Sequence, residues 1–141
     1  MQKIQIKYLR DIEPIKVIEN SDWVDLRAAC DCTIPAGSYL VIPLGIAVKL
    51  PKGYSAIIAP RSCMLERFGI IQANSIGVID NSYSGERDEW KIPVIAFRDT
   101  KILKNQRICQ FTLIKKRDFE LETVQKLHSI NRGGFGSTGI E

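Results

Sequence analysis

Residues 107–129 read RICQFTLIKKRDFELETVQKLHS, a stretch with neither glycine nor proline. Nothing in it breaks a helix, so composition alone would permit one. The spacing of apolar residues argues otherwise. Cys109, Phe111 and Leu113 recur every second residue; after the charged break Lys115-Lys116-Arg117-Asp118, Phe119 and Leu121 alternate with Glu120 and Glu122. A two-residue period places one set of side chains on one face of a strand, whereas a helix would need a spacing of three or four. The pattern predicts two strands here.

The same reading extends outward. Ile4, Ile6 and Tyr8 share one face of Gln2–Tyr8, as in a half-buried strand. Residues 39–50 are rich in β-branched side chains and lie between Pro35-Ala36-Gly37 and Pro51-Lys52-Gly53; residues 55–59, 92–98 and 107–114 look similar. Turn signals recur about every ten residues, which predicts an all-β domain of many short strands, a sandwich, jelly roll or barrel. One short helical turn is expected around Met64–Arg67. The final Gly-rich segment is the only change of composition, so residues 1–130 read as one domain and 131–141 as a flexible arm.

The chain has 141 residues, of which 45% are hydrophobic, and a net charge of only +4. That is enough for one core, and the absence of long basic runs argues against a nucleic-acid groove. From Lys101 to Arg132 there are eight basic and three acidic residues, a bias that suits a small polyanion or an ordinary solvated face. No apolar run approaches a membrane span and no signal-peptide core follows Met1, so a soluble, cytoplasmic protein is expected. Cys30, Cys32, Cys63 and Cys109 lack the paired spacing of a structural zinc site and read as reduced thiols.

Three stretches could carry chemistry. A single histidine, His128, and no Gly-x-Ser-x-Gly turn leave little for a Ser-His-Asp hydrolase. The tail NRGGFGSTGIE, residues 131–141, is not a Walker loop, yet it offers backbone N–H groups, two hydroxyls and a guanidinium to phosphate oxygens. Phe135 among its glycines could lie flat on a base, so the tail could serve as a lid. Pro60-Arg61-Ser62 joins a fixed turn to a cation and a hydroxyl. In Gly77-Val78-Ile79-Asp80-Asn81-Ser82-Tyr83-Ser84-Gly85 an apolar strand delivers an acid into a turn, where a carboxylate can form the turn or act as a general base.

Taken in order, these stretches resemble the homotrimeric dUTP diphosphatases, or dUTPases. Five segments carry the resemblance: residues 25–29 (DLRAA), Pro60-Arg61-Ser62 running to Gly69-Ile70, Gly77–Asp80 with Tyr83 and Gly85, Arg107-Ile108-Cys109-Gln110, and residues 133–139 (GGFGSTG). The resemblance implies a jelly-roll-like, β-clip fold, a trimer with sites at subunit interfaces, and hydrolysis of dUTP to dUMP and pyrophosphate with Mg2+. It implies that Asp80 activates the water that attacks the α-phosphorus. Tyr83 would lie under the deoxyribose and exclude a 2′-hydroxyl. Asn74 and the main chain of Gly77, Val78 and Ile79 would read uracil in a narrow hairpin pocket. Arg61, Ser62, Cys63 and Gln110 would contact the substrate around its phosphates, and Asp25 would hold a metal-bound water. Phe135 would cover the uracil, with Arg132, Gly136, Ser137 and Thr138 as further substrate contacts of the arm.

This chain departs from the family pattern in four places. Asp22-Trp23-Val24 replaces a Gly-rich turn, and Cys63–Arg67 replaces a segment with Gly and Lys; Arg87-Asp88-Glu89-Trp90 reads as a short insertion beside the pocket, and the arm is short before Phe135. Trp90 could stack on a ligand or seal a loop. Two rival readings stand beside the main one. A dCTP deaminase of the same fold would need a glutamate in the strand after the Asp80 turn, where residues 92–97 (IPVIAF) offer none. A regulatory protein could instead keep the pocket and dock onto a partner.

Overall fold

The computed structural model describes residues 1–140. Its strands are β1 (Gln5–Tyr8), β2 (Val24–Arg27), β3 (Cys32–Ile34), β4 (Tyr39–Lys49), β5 (Tyr54–Pro60), β6 (Ile70–Gln72), β7 (Gly77–Ile79), β8 (Glu89–Ala96), β9 (Thr100–Ile102) and β10 (Arg107–Lys115); α1 is Met64–Phe68. Two antiparallel four-stranded sheets, ordered β1-β4-β8-β6 and β2-β10-β5-β7, are supplemented by the pair β3-β9. The architecture is all-β with many short strands, as the alternation and turn spacing predict, and jelly-roll-like, as the resemblance implies.

The inner faces of both sheets supply the core. Leu26, Ile42, Leu44, Ile46, Ile58, Ile70, Ile92 and Trp90 are buried, and Trp90 meets Phe111 edge to face with ring centroids 5.1 Å apart. Edge-to-face geometry suits the ring quadrupoles, so the pair contributes beyond the area it buries. Trp90 therefore seals the core; its place at the second position of β8 makes it part of the strand alternation.

The predicted helical turn is present as α1. It ends on Gly69 at φ 63°, where the Gly69 N–H donates to the Leu65 carbonyl. A Cβ at Gly69 would stand 2.6 Å from Arg98 Cγ, and Arg98 Nη2 donates to the Glu66 and Arg67 carbonyls at 3.0 Å each. Glycine here supplies both the left-handed conformation and room for the arginine that closes the helix end.

Two expectations need correction. Residues 107–129 do not form two strands: β10 ends at Lys115, and Phe119, Leu121 and Leu127 are exposed. Among the described residues their alternation has no partner strand, and an unpaired strand leaves its main-chain groups without a ladder. The N-terminal strand is shorter than Gln2–Tyr8 and all four of its residues are exposed; Ile6 and Tyr8 share a face, but that face is only lightly covered. The four cysteines are free thiols. Cys30 Sγ lies 3.6 Å from Cys32 Sγ, and burial together with this contact pushes the Cys32 thiol up to about 11. Cys109 is buried and pushed up as well, while Cys30 and Cys63 are half-buried.

Candidate active site

Strand β5 has a different cluster at each end. At its C-terminal end, Pro60 opposes Cys109 of β10, and β10 in turn pairs with β2 through Gln110 and Asp25. This register brings three of the resembling segments together. Asp25 meets Arg61 Nε through Oδ1 and Arg107 Nη1 through Oδ2, each at 3.2 Å. Arg61 Nη1 also donates to the Arg107 carbonyl at 3.1 Å, and Gln110 Nε2 donates to the Pro60 carbonyl at 3.0 Å. One carboxylate thus fixes two guanidinium groups on the sheet end. Arg61 and Ser62 line a cavity of about 430 Å³ with Met64, Ile70 and Gln72. Cys63 precedes α1 and makes no side-chain cap.

The N-terminal end of β5 carries the other cluster. Ile79 of β7 opposes Ala56, so Asp80 emerges level with Ser55. Asp80 is exposed, and its Oδ2 accepts hydrogen bonds from the Ser82 N–H at 2.9 Å and from the Ser82 hydroxyl. These bonds hold the Asp80 carboxyl below its ordinary value, the Ser82 hydroxyl having the larger effect and the Ser82 N–H the next. Among the described residues no donor reaches Oδ1. Next to it, Asn81 Nδ2 donates to the Pro51 and Tyr54 carbonyls at 2.9 and 2.7 Å, which fixes the turn.

Tyr83 returns toward this acid because its N–H donates to the Asp80 carbonyl at 3.0 Å, and its hydroxyl donates to the Glu89 carbonyl at 2.9 Å. Burial raises the Tyr83 phenol above its ordinary value, and the nearby charges of Asp88 and Glu89 add to this. Val78, Ile79, Asp80, Ser82, Tyr83 and Glu89 line a cavity of about 440 Å³. That is within the range of small-ligand pockets. Strand β7 lies at the edge of its sheet, so its outer main-chain groups are free to meet a ligand.

The narrow hairpin expected around Gly77–Ile79 is not a paired two-strand ladder. β6 and β7 belong to different sheets, joined by the turn through Ala73 and Asn74 in which Ser75 N–H donates to the Gln72 carbonyl at 3.1 Å. Asn74 stays beside Gly77: a Cβ on Gly77 would lie 3.7 Å from Asn74 Nδ2 and 3.3 Å from Ile58 Cβ. Arg132, Phe135, Gly136, Ser137 and Thr138 lie in an exposed segment with two tight turns, Ser137 N–H to the Gly134 carbonyl and Gly139 N–H to the Gly136 carbonyl. Phe135 is fully exposed, and among the described residues none of the arm lines either cavity.

Sequence reasoning missed Glu89. β8 begins at this residue, earlier than the 92–98 stretch suggests, so an acid does stand in the strand after the Asp80 turn. Its oxygens are already engaged by Arg10 Nε at 2.8 Å, Arg10 Nη2 at 3.1 Å and the Gly45 N–H at 3.1 Å. The alternation of Trp90, Ile92 and Val94 could have extended the strand back to residue 89, but Arg10 as its partner had no local signal.

These features define an all-β protein with an acid-bearing pocket and a cationic pocket on one sheet. The dUTPase family model matches residues 20–139, and the chain belongs to the dUTPase family. It is 49% identical over 141 residues, 99% of each chain, to the SPbeta prophage-derived deoxyuridine 5'-triphosphate nucleotidohydrolase YosS of Bacillus subtilis. It is 39% identical to the deoxyuridine 5'-triphosphate nucleotidohydrolase of Rickettsia typhi, over 98% of this chain and 97% of that one. The fold also matches a dUTPase of Staphylococcus bacteriophage 80alpha with dUPNHPP, at TM-score 0.85 and 20% identity over 99% of this chain and 100% of that one.

Proposed function

We propose that this chain hydrolyses dUTP to dUMP and pyrophosphate at sites assembled from more than one copy of itself. Family membership and the full-length likeness to named deoxyuridine 5'-triphosphate nucleotidohydrolases support the reaction. One observation carries the assembly. Asp80 is level with Ser55, whereas Arg61 follows Pro60, so six residues of extended strand, about 20 Å, separate the acid from the cations. That separation favours a site in which a nucleotide with its base and sugar at Tyr83 places its phosphates against Arg61 of another copy. A homotrimer with shared sites brings one copy's acid-bearing pocket to another copy's cationic end.

In this reading the free Oδ1 of Asp80 takes a proton from water as the water oxygen bonds to the α-phosphorus. The bond from that phosphorus to the bridging oxygen breaks, and pyrophosphate leaves with the electron pair. The outer edge of β7, with Asn74, offers fixed donors and acceptors to the uracil edge and sets the discrimination against the thymine methyl. Tyr83 packs beneath the sugar. Arg61, Ser62 and Gln110 bind phosphate oxygens, and the arm of residues 131–141 closes with Phe135 on the base and Arg132, Gly136, Ser137 and Thr138 toward the phosphates.

The donor set also bears on magnesium. Among the described residues no three His, Cys, Asp or Glu side chains stand together as a cage, and Asp25 is committed to two arginines. Such a set fits an ion held chiefly by phosphate oxygens and water, with Asp25 reaching it through water. When bound, Mg2+ would offset phosphate charge and favour departure of pyrophosphate. Deamination of dCTP finds less support, because both Glu89 oxygens are already bonded.

The test is complementation between two inactive variants, Asp80→Asn and Arg61→Ala, co-expressed with different tags and purified as mixed assemblies. In each mixed trimer one shared site in three, about a third, joins an intact acid to an intact cation, so activity should return to about that fraction of wild type. Mixed assemblies no more active than their parents would overturn the shared site. Pyrophosphate release from dUTP, dCTP, dTTP and UTP, with and without magnesium, checks the substrate.

A further inference from the structure

Glu89 is bonded in two directions. Its carboxylate accepts two hydrogen bonds from Arg10, at 2.8 and 3.1 Å, and one from the Gly45 N–H at 3.1 Å. Its main-chain carbonyl accepts the Tyr83 hydroxyl at 2.9 Å. The carboxylate is largely buried, with 11% of the side chain exposed against 44% for Arg10. The far side of the network is equally constrained. Leu9 N–H donates to the Gly45 carbonyl at 2.8 Å, and Gly45 sits at φ 75° in the irregular stretch of β4 between Pro43 and Ala47. A Cβ on Gly45 would lie 3.0 Å from Ala29 Cβ and 3.5 Å from Arg10 Cβ. Glycine is what lets β4 turn its N–H toward Glu89 while Arg10 passes close by.

We propose that Arg10 and Glu89 are positioning residues that set the height of the Tyr83 ring, and through it the preference for deoxyribose over ribose. This rests on the role given to Tyr83 in the proposed function. A phenol that excludes one hydroxyl by contact must be held to within about half an ångström. Tyr83 is tied at both ends, by its N–H on the Asp80 carbonyl and by its hydroxyl on the Glu89 carbonyl. The second tie is only as firm as the start of β8, which pairs with Ala47 of β4 and takes the Gly45 N–H, while the fork of Arg10 fixes the Glu89 side chain from the segment after β1. A bidentate guanidinium–carboxylate contact sets both distance and angle, which a lysine cannot do. Glu89 and Trp90 then divide the work of one short segment, the side chain of Trp90 sealing the core while the main chain of Glu89 holds the wall of the pocket.

The experiment uses the full-length assembled enzyme and compares kcat/KM for dUTP, UTP and dTTP in wild type, Glu89→Gln, Arg10→Lys, Tyr83→Phe and the double variant Tyr83→Phe/Glu89→Gln. The dUTP-to-UTP ratio should fall about tenfold in each single variant, while the dUTP-to-dTTP ratio, set at β7, stays put. Glu89→Gln should add nothing once Tyr83→Phe has removed the shared hydrogen bond. A general loss of stability would lower all three rates together and leave both ratios unchanged, and that result overturns the proposal. So does additivity in the double variant. Arg10→Lys changes the exposed partner and supplies the answer if Glu89→Gln misfolds. A wild-type enzyme with no preference for dUTP over UTP would overturn the reading of Tyr83 itself. A preference removed by Tyr83→Ala but untouched by Glu89→Gln and Arg10→Lys would overturn only the positioning role.

Discussion

Asp25 and Asp80 stand toward opposite ends of one sheet, Asp25 level with Ala59 of β5 and Asp80 with Ser55, and their surroundings differ in kind. Asp25 is pinned between Arg61 and Arg107, and its charge is spent on holding two cations in place. Asp80 is exposed and forms no ion pair among the described residues: the hydroxyl and N–H of Ser82 occupy one of its two oxygens, and Lys116 acts on it only through its charge. A carboxylate locked between guanidinium groups organises a phosphate site, and both of its oxygens are already engaged. A carboxylate held by a hydroxyl keeps a free oxygen for water. The largest expected effect breaks this contrast directly. Asp80→Asn should retain dUTP binding, measured by calorimetry, and lose at least about two orders of magnitude in turnover. Near-normal turnover would mean that Asp80 is not the base.

The sequence made much of this legible, for physical reasons. Alternation in β10 and the turn spacing are local, so the all-β class could be read from them, as could α1 from Met64–Arg67. The acid, tyrosine and arginine motifs were recognisable because each lies within a few residues. What was not legible depends on partners far along the chain. The alternation of Phe119 and Leu121 is real, but a strand exists only where another strand pairs with it, and no partner among the described residues does so. Asp25 is adjacent in sequence to neither Arg61 nor Arg107, and Arg10 is 79 residues from Glu89. Trp90 could be read as stacking or sealing until β8 fixed which way it faced; it is buried against Phe111.

A second contrast, between the body and the arm, predicts a smaller effect. Residues 131–140 are exposed throughout and none belongs to the core, so folding should not depend on them. Removing residues 131–141 should leave Tm and oligomeric state unchanged, while kcat/KM for dUTP falls about 10- to 100-fold, as loss of one base-stacking aromatic and its phosphate contacts would give. Light scattering and a melting curve check the first part, pyrophosphate release the second. A truncated chain that fails to fold would show that the arm is structural.

The smallest effect lies in the acid limb of the rate profile and probes what Ser82 does for Asp80. In the folded chain the Asp80 carboxyl titrates below its ordinary value of 3.8, chiefly through the Ser82 hydroxyl. The charged form is therefore favoured at neutral pH. Its contribution to stability is present above the unfolded value and fades as pH falls through the folded one; full exposure makes that contribution slight. For catalysis the same sign means that Asp80 stays ionised, and kcat/KM declines only in distinctly acid solution. Ser82→Ala removes the larger of the two bonds and leaves the Ser82 N–H in place. The acid limb of kcat/KM should then move toward higher pH, while the plateau at neutral pH changes little. A limb that stayed where it was would assign the acid titration to a group other than Asp80, and the contrast with Asp25 would lose its catalytic meaning.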